Sequence, residues 1–379
     1  MFSEIERNRR MGEAAKLIKA EGLQAIYLVG NSNVGPNAFG CFRYFVDSRV
    51  FFHIMSVIIM PDGEPIAIVN NAMGKASLVA NSFIRETAVN LDQLGGVIEI
   101  LKSRGLTKGR LGVLLEILPA SWLMRMKNEL PELEFVDVSE KIFAIRSEKS
   151  PEEVEAQRVC AKIADAGYKA LCDTVKPGML ENELVAEMDK AMQKLGAEES
   201  FMLISSGRFS ASDNKLSTLH NTSALNRRIE MGDSVAAEIT PRYNGYWTQI
   251  VRTISVGEYN SDADEFRRVV VGAIAAAKAK LRAGVPVCTI VNAMQEYIEG
   301  EGYKLLMPCG HIAAVDLNEE RLTNDNMRPL APGMLVIIHP TVVKGDLPTG
   351  IFWGESYIVT EDGYEAPMSS GSELYTSQG

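Results

Sequence analysis

Apolar residues recur at helical spacing in "RRMGEAAKLIKAEGL", and the period then changes to the short β-rich run "AIYLVGN". "MSVIIMPDGEPIAIVNN" predicts two strands about a Pro-Asp-Gly turn. "QLGGVIEILKSRGL" predicts a helix ending at Gly, "RLGVLLEIL" a strand and "PASWLMRMKNELP" a helix. "EFVDVSEKIFAIR" predicts a strand followed by a helix or turn. Helices alternating with strands at this spacing predict an α/β domain. In "RSEKSPEEVEAQRVCAKIADAGYKALCDTV", Ser150 is an N-cap, Pro151 suits the first helical position and Glu153 completes a capping box. A long helix starts there, and the boundary is placed just ahead of it: residues 1–146 and 147–379 form two domains.

The second domain begins with that helix and a further one, "MLENELVAEMDKAMQKLG". After Gly196 the pattern turns to strands in "SFMLISSG" and "GDSVAAEITPRYNGYWTQIVRTISVG". Two helices follow, "DEFRRVVVGAIAAAKAKLRAG" and "TIVNAMQEYIEGEG", then the strands "PGMLVIIHPTVV" and "ESYIVTEDGYEAP". This is an α+β pattern, and its helix–helix–strand order occurs twice, a hint of pseudo-symmetry.

Composition narrows the function. The 379 residues carry a net charge of −10, which argues against nucleic acid and against an anionic membrane surface as partners. No apolar run approaches the roughly 20 residues of a membrane span. The opening "MFSEIERNRRMGEAAKLIKAEG" is a mixed-charge helix pattern rather than a signal peptide. Five irregularly spaced cysteines are expected to be reduced thiols in a cytoplasmic protein. Three of the four histidines, His220, His311 and His339, fall in the second domain. All three lie near strand ends alongside Glu238 and Glu355, which points to a site.

The stretches "GDSVAAEITPRYNGYWTQIVRT", "CGHIAAVDLNE", "LAPGMLVIIHP" and "ESYIVTEDG", in this order, resemble the creatinase / aminopeptidase P / methionine aminopeptidase superfamily. The first domain, with "LQAIYLVGNSN" and "MPDGEPIAIVN", looks like the N-terminal domain of the creatinase and prolidase branches. The resemblance implies a creatinase/prolidase-like α/β N-terminal domain, an α+β C-terminal domain of pita-bread fold and a homodimer. Metallopeptidases of this family hold two ions with two Asp, one His and two Glu. By resemblance those positions are Glu238, Gln249, His311, His339 and Glu355 here.

Charge decides what this altered set can hold. Two divalent ions bring four positive charges, and only two carboxylates remain to meet them. Gln249 is neutral where a bridging carboxylate is needed, and hard ions prefer anionic oxygen. The expectation is therefore a pocket with no metal cofactor; the alternative is one divalent ion held by His311, His339, Glu238 and Glu355.

"STLHNTSALNRRIEMGDSV" matches the form of the creatinase segment that carries its catalytic His, so the resemblance makes His220 the proton-transfer residue. Catalytic roles are expected for His220, His311, Glu238 and Glu355. Substrate contacts are expected from Gln249, His339, Arg252, Trp247, Trp353 and Tyr246. The leading expectation is a metal-independent hydrolase that cuts a C–N bond in a small, cationic non-peptide substrate. An Xaa-Pro aminopeptidase or dipeptidase with a single-metal site is the first alternative, and a non-catalytic pseudo-peptidase binding protein the second.

Overall fold

The computed structural model describes residues 2–31, 35–37, 40–49, 54–210, 224, 226–345 and 350–378. The chain divides into two units, Met1–Glu152 and Glu153–Gly379.

In the first unit, α1 (Glu4–Glu21), β1 (Ala25–Asn31), α2 (Gly40–Val46), β2 (Ile54–Ile59), β3 (Pro65–Val69) and α3 (Ala72–Asn81) come first. They are followed by β4 (Glu86–Val89), α4 (Gln93–Ser103), β5 (Lys108–Val113), α5 (Ala120–Glu129), β6 (Glu132–Asp137) and α6 (Ser139–Ser147). The strands form one mixed sheet in the order β4-β3-β2-β1-β5-β6. The Pro-Asp-Gly turn joins β2 and β3 as an antiparallel pair with Ile58 opposite Ile66. Gly63 there has φ +88°, and a Cβ would lie 2.3 Å from the Met11 carbonyl oxygen, so only glycine fits. Tyr27, Val29, Ile58, Ile66 and Ile68 of the sheet pack on Leu94, Val97 and Leu101 of α4. The sequence pattern misses α2 and α3. α2 is buried on every side, and α3 buries only Leu78, so neither carries the apolar stripe that marks a helix.

The second unit opens with α7 (Pro151–Thr174), which begins at the proline the capping signal indicates, and α8 (Glu181–Lys194). Next come β7 (Glu199–Gly207), β8 (Ser234–Tyr243), β9 (Tyr246–Trp247) and β10 (Ile250–Val256). Then follow α9 (Ser261–Lys278), α10 (Val287–Gly300), β11 (Lys304–Leu306), β12 (Gly310–Ala313) and β13 (Glu320–Arg321). β14 (Leu335–Ile338), β15 (Thr341–Val343), β16 (Glu355–Val359), β17 (Tyr364–Glu365) and β18 (Thr376–Ser377) complete the chain. One sheet runs β18-β10-β8-β7 with β9 beside β8; a second runs β13-β12-β14-β16-β17; β11 and β15 pair separately.

The repeated helix–helix–strand order is thus two half-sheets, each backed by a helix pair. Val235, Ala237, Ile239, Ile250 and Ile254 pack on Ile163, Ala164, Leu184 and Met188 of α7 and α8. Ile312, Val336, Ile338, Tyr357 and Val359 pack on Val270, Ile274, Val291 and Met294 of α9 and α10. Side chains alternate along a strand, so the residues between these turn to the opposite, inner face. They are Glu238 and Thr240 on β8, Gln249 just before β10 and Val251 on it, His311 on β12, Ile337 on β14 and His339 just after it. Val251 and Gly354 exchange both backbone hydrogen bonds, at 3.0 and 2.9 Å, and so join the two half-sheets.

Candidate active site

Glu238 lies mid-strand, paired with Val251 on one side and Leu203 on the other. Its side chain is buried, and burial alone pushes its carboxyl up to about 7. Neighbouring Gln249 is fixed by its backbone: its N–H donates to Ser356 Oγ at 3.2 Å, and that hydroxyl donates back to the Gln249 carbonyl at 2.8 Å. Both atoms of the Gln249 side-chain amide are buried without a partner, as is the Thr240 hydroxyl.

From the second half-sheet, His311 and His339 reach the same face. Gly310 pairs with Ile338 and His311 with Ile337, and the His339 N–H donates to the Cys309 carbonyl at 3.0 Å. This register sets the two imidazole centres 5.3 Å apart at 62°. Burial pushes His311 down to about 3, with the neighbouring His339 adding to the effect, and burial pushes His339 down to about 4. Both rings are therefore neutral at physiological pH, and Nδ1 of each has no hydrogen-bond partner. Phe352 stands edge-on to His339 at 5.4 Å.

Other expected site residues lie elsewhere. Glu355 pairs with Ile338 and so turns away from the imidazoles. Its carboxylate accepts from Arg252 Nη2 at 2.7 Å and from the Tyr357 hydroxyl at 2.6 Å. Arg252 is fully buried, stacks on Trp353 at 4.6 Å and donates to the carbonyls of Val251 and Gly354. Arg252, Trp353 and Glu355 thus form a packed ion-pair network rather than part of the inner face. Tyr246 donates its hydroxyl to the buried Glu153, and Trp247 lies beneath Arg242 at 5.2 Å. His220 lies outside the described residues. Sequence reasoning overlooked Gly354, Ser356 and Thr240 on the inner face. Alternation in "GESYIV" was the available signal, because Tyr357 and Val359 are core residues and fix which way Glu355 points.

Residues 155–361 match the model of metallopeptidase family M24, and residues 10–147 that of the creatinase/prolidase N-terminal domain. An uncharacterized peptidase of Bacillus subtilis (strain 168) is 28% identical over 250 residues, covering 65% of this chain and 69% of that one. The Xaa-Pro dipeptidase of Pyrococcus furiosus is 27% identical over 259 residues, covering 67% of this chain and 72% of its own. The crystal structure of X-Pro aminopeptidase from Thermotoga maritima MSB8 superposes with a TM-score of 0.85 at 19% identity, over 97% of this chain and 99% of that one. That likeness shows the two-domain pita-bread fold.

The match to a metallopeptidase family overturns the expectation of no metal cofactor. The charge argument was directed at two ions and does not reach a single ion. Burial disfavours the charged form of both imidazoles, and Nδ1 of each is without a partner, so each ring offers one nitrogen to a metal. Ring centres 5.3 Å apart suit a shared ion, since nitrogen–ion bonds of about 2 Å would put them roughly 5 Å apart. Among the described residues no three His, Cys, Asp or Glu side chains form a ready-made ligand cluster. The two imidazoles alone therefore make an incomplete ligand set.

Proposed function

The chain belongs to metallopeptidase family M24, and from that premise we propose that this hydrolase cleaves the C–N bond of Xaa-Pro peptides with one divalent ion held by His311 and His339. The observation that carries the reading is the pair of neutral, unpartnered imidazoles on the same face as the desolvated carboxyl of Glu238. An ion held by His311 and His339 would supply Lewis-acid polarisation of the scissile carbonyl and a lowered pKa for the attacking water. Glu238, held near neutrality, takes the proton of the attacking water and keeps it for the leaving nitrogen. Gln249 offers an amide donor and acceptor to the peptide backbone of the substrate. His220 is assigned a second proton-transfer role from the resemblance of its segment. We further propose a cytoplasmic homodimer, from the resemblance. Among the described residues no helix is long and apolar enough to cross a membrane.

The test is a panel of Xaa-Pro dipeptides and Xaa-Pro-Xaa tripeptides, assayed after exhaustive chelation and again with added zinc, manganese, cobalt or iron. Turnover restored by one of these metals is expected. No cleavage with any of them, or full turnover in the chelated protein, sinks the reading.

A further inference from the structure

Gln249 carries a donor and an acceptor, and among the described residues neither atom of its buried side-chain amide has a partner. Its direction follows from its neighbours. Thr248 donates its hydroxyl to the Gln157 carbonyl of α7 at 3.5 Å, and Ile250 packs on α7 and α8, so Gln249 between them turns to the inner face. Its origin is fixed as well, because the Ser356 hydroxyl holds both its N–H and its carbonyl. The register that sets Val251 opposite Glu238 and Ile250 opposite Ile239 continues to Gln249 opposite Thr240. The Thr240 hydroxyl is also buried and without a partner among the described residues. This row across the two strands is therefore uncharged, and its donors and acceptors are unused.

The group that satisfies such a row is another amide. A carboxylate would leave the Gln249 oxygen unanswered, and an ammonium would bring a charge and three donors to a neutral row. In the peptidase reading Glu238 serves the attacking water, so the row has no carboxylate of its own for an ammonium. In an extended chain the N–H and carbonyl of one residue lie on the same edge, as they do where paired strands exchange both hydrogen bonds. They match the oxygen and nitrogen of Gln249 in turn. Proline has no N–H, and the other backbone nitrogen of a free Xaa-Pro dipeptide is the ammonium. We infer that Gln249 is a specificity-determining residue: with Thr240 opposite, it reads the amide N–H and carbonyl of an extended, non-proline residue flanking the Xaa-Pro bond. The substrate is then an N-acylated or longer chain and not a free Xaa-Pro dipeptide. The inference deepens the peptidase reading and rests on it for the bond that is cut; the recognition itself needs no metal ion.

The test compares kcat/KM for Ala-Pro, N-acetyl-Ala-Pro and Ala-Pro-Ala amide on the full chain, with the metal that restores turnover. At least one of the two amide-bearing substrates is expected to exceed Ala-Pro by about tenfold or more, the size of effect when a buried hydrogen bond goes unmade. Whichever does so tells on which side of the scissile bond the recognised residue lies. Gln249→Met keeps the length of the side chain and removes its donor and acceptor, and is expected to bring that preference down to about twofold or less. Equal or better turnover of Ala-Pro by the unmodified chain overturns the inference, as does a folded Gln249→Met that keeps the preference. Should Gln249→Met fail to fold, Gln249→Glu decides: its carboxylate suits an ammonium and must shift the preference from N-acetyl-Ala-Pro toward Ala-Pro, and an unchanged ratio overturns the inference. Failure of the peptidase reading is told apart by binding. If no peptide is cleaved, the same three are titrated onto the metal-stripped chain by calorimetry. Tighter binding of an amide-bearing peptide that Gln249→Met abolishes keeps Gln249 in its role and removes only the peptidase reading; equal binding of all three overturns Gln249 as well.

Discussion

Two polar clusters lie on opposite faces of the same few strands, and they are built on opposite terms. On the side facing the helices, Arg252 donates to Glu355 and to the carbonyls of Val251, Gly354 and Ser370, leaving only its Nε without a partner. Tyr357 completes that cluster with its hydrogen bond to Glu355. On the inner face, the Gln249 amide, the Thr240 hydroxyl and Nδ1 of both His311 and His339 are buried and unanswered. Leaving a buried polar group unpaired costs about 1–3 kcal/mol. Among the described residues, the helix-facing cluster leaves only Arg252 Nε and Trp353 Nε1 without a partner, whereas the inner face leaves four polar side chains unanswered, groups that a ligand could satisfy. The difference separates residues that look alike in the sequence: Glu355 and Glu238 are both strand glutamates, and Glu355 is held in an ion pair while Glu238 has burial as the one influence on its carboxyl.

The comparison breaks most visibly at Arg252. Arg252→Ala takes the cationic partner from the part-buried Glu355 carboxylate and one donor from each of three carbonyls. Removing one partner of a buried ion pair costs about 3–5 kcal/mol, so unfolding in denaturant should shift by that amount. A loss below about 1 kcal/mol would mean the network is not structural.

Glu238→Gln probes the other face. With the general acid/base removed, kcat/KM should fall about 10²-fold, equivalent to about 2.7 kcal/mol of transition-state stabilisation. Stability should stay level or rise, because the amide no longer carries a charge that burial opposes. Paired steady-state kinetics and denaturant melts on one preparation decide it. A melt as damaged as that of Arg252→Ala would erase the distinction between the faces.

Much of this was legible in the chain, and the failures have specific causes. Hairpins and amphipathic helices announced themselves, as did the helix that starts at Pro151. α2 and α3 did not, since a helix buried all round and one exposed nearly all round show no period. His311, His339, Gln249 and Glu238 were singled out because each stands in a distinctive string, and strand alternation turns all four to the inner face. Glu355 was placed by its string too, yet a shift of one residue in a strand exchanges faces. The aromatic residues Tyr246, Trp247 and Trp353 are near the right strands in sequence, and packing or hydrogen bonds to Glu153, Arg242 and Arg252 occupy them. The metal expectation failed because counting carboxylates tests for two ions, whereas the neutrality of two imidazoles is set by burial, which no sequence prints.

A smaller change sharpens the satisfied side. Tyr357→Phe removes one hydrogen bond to a carboxylate and leaves the ring in place. The loss should be about 1.5 kcal/mol of stability with kcat/KM unchanged within about twofold. A drop in turnover larger than the drop in stability would place Tyr357 and Glu355 in the reaction.

The smallest effect should carry the opposite sign. Thr240 is fully buried on the face of Glu238, with its hydroxyl unpartnered. Valine has nearly the same shape and no polar atom to desolvate, so Thr240→Val should raise stability by up to about 1 kcal/mol. The same kind of deletion therefore destabilises at Tyr357 and stabilises at Thr240, two sites with similar burial. If Thr240→Val instead costs stability, the hydroxyl has a partner in solution, and the inner face is already satisfied there without substrate. If stability rises while KM for the Xaa-Pro peptide also rises, the hydroxyl was being kept for the substrate, which is the trade the open face implies.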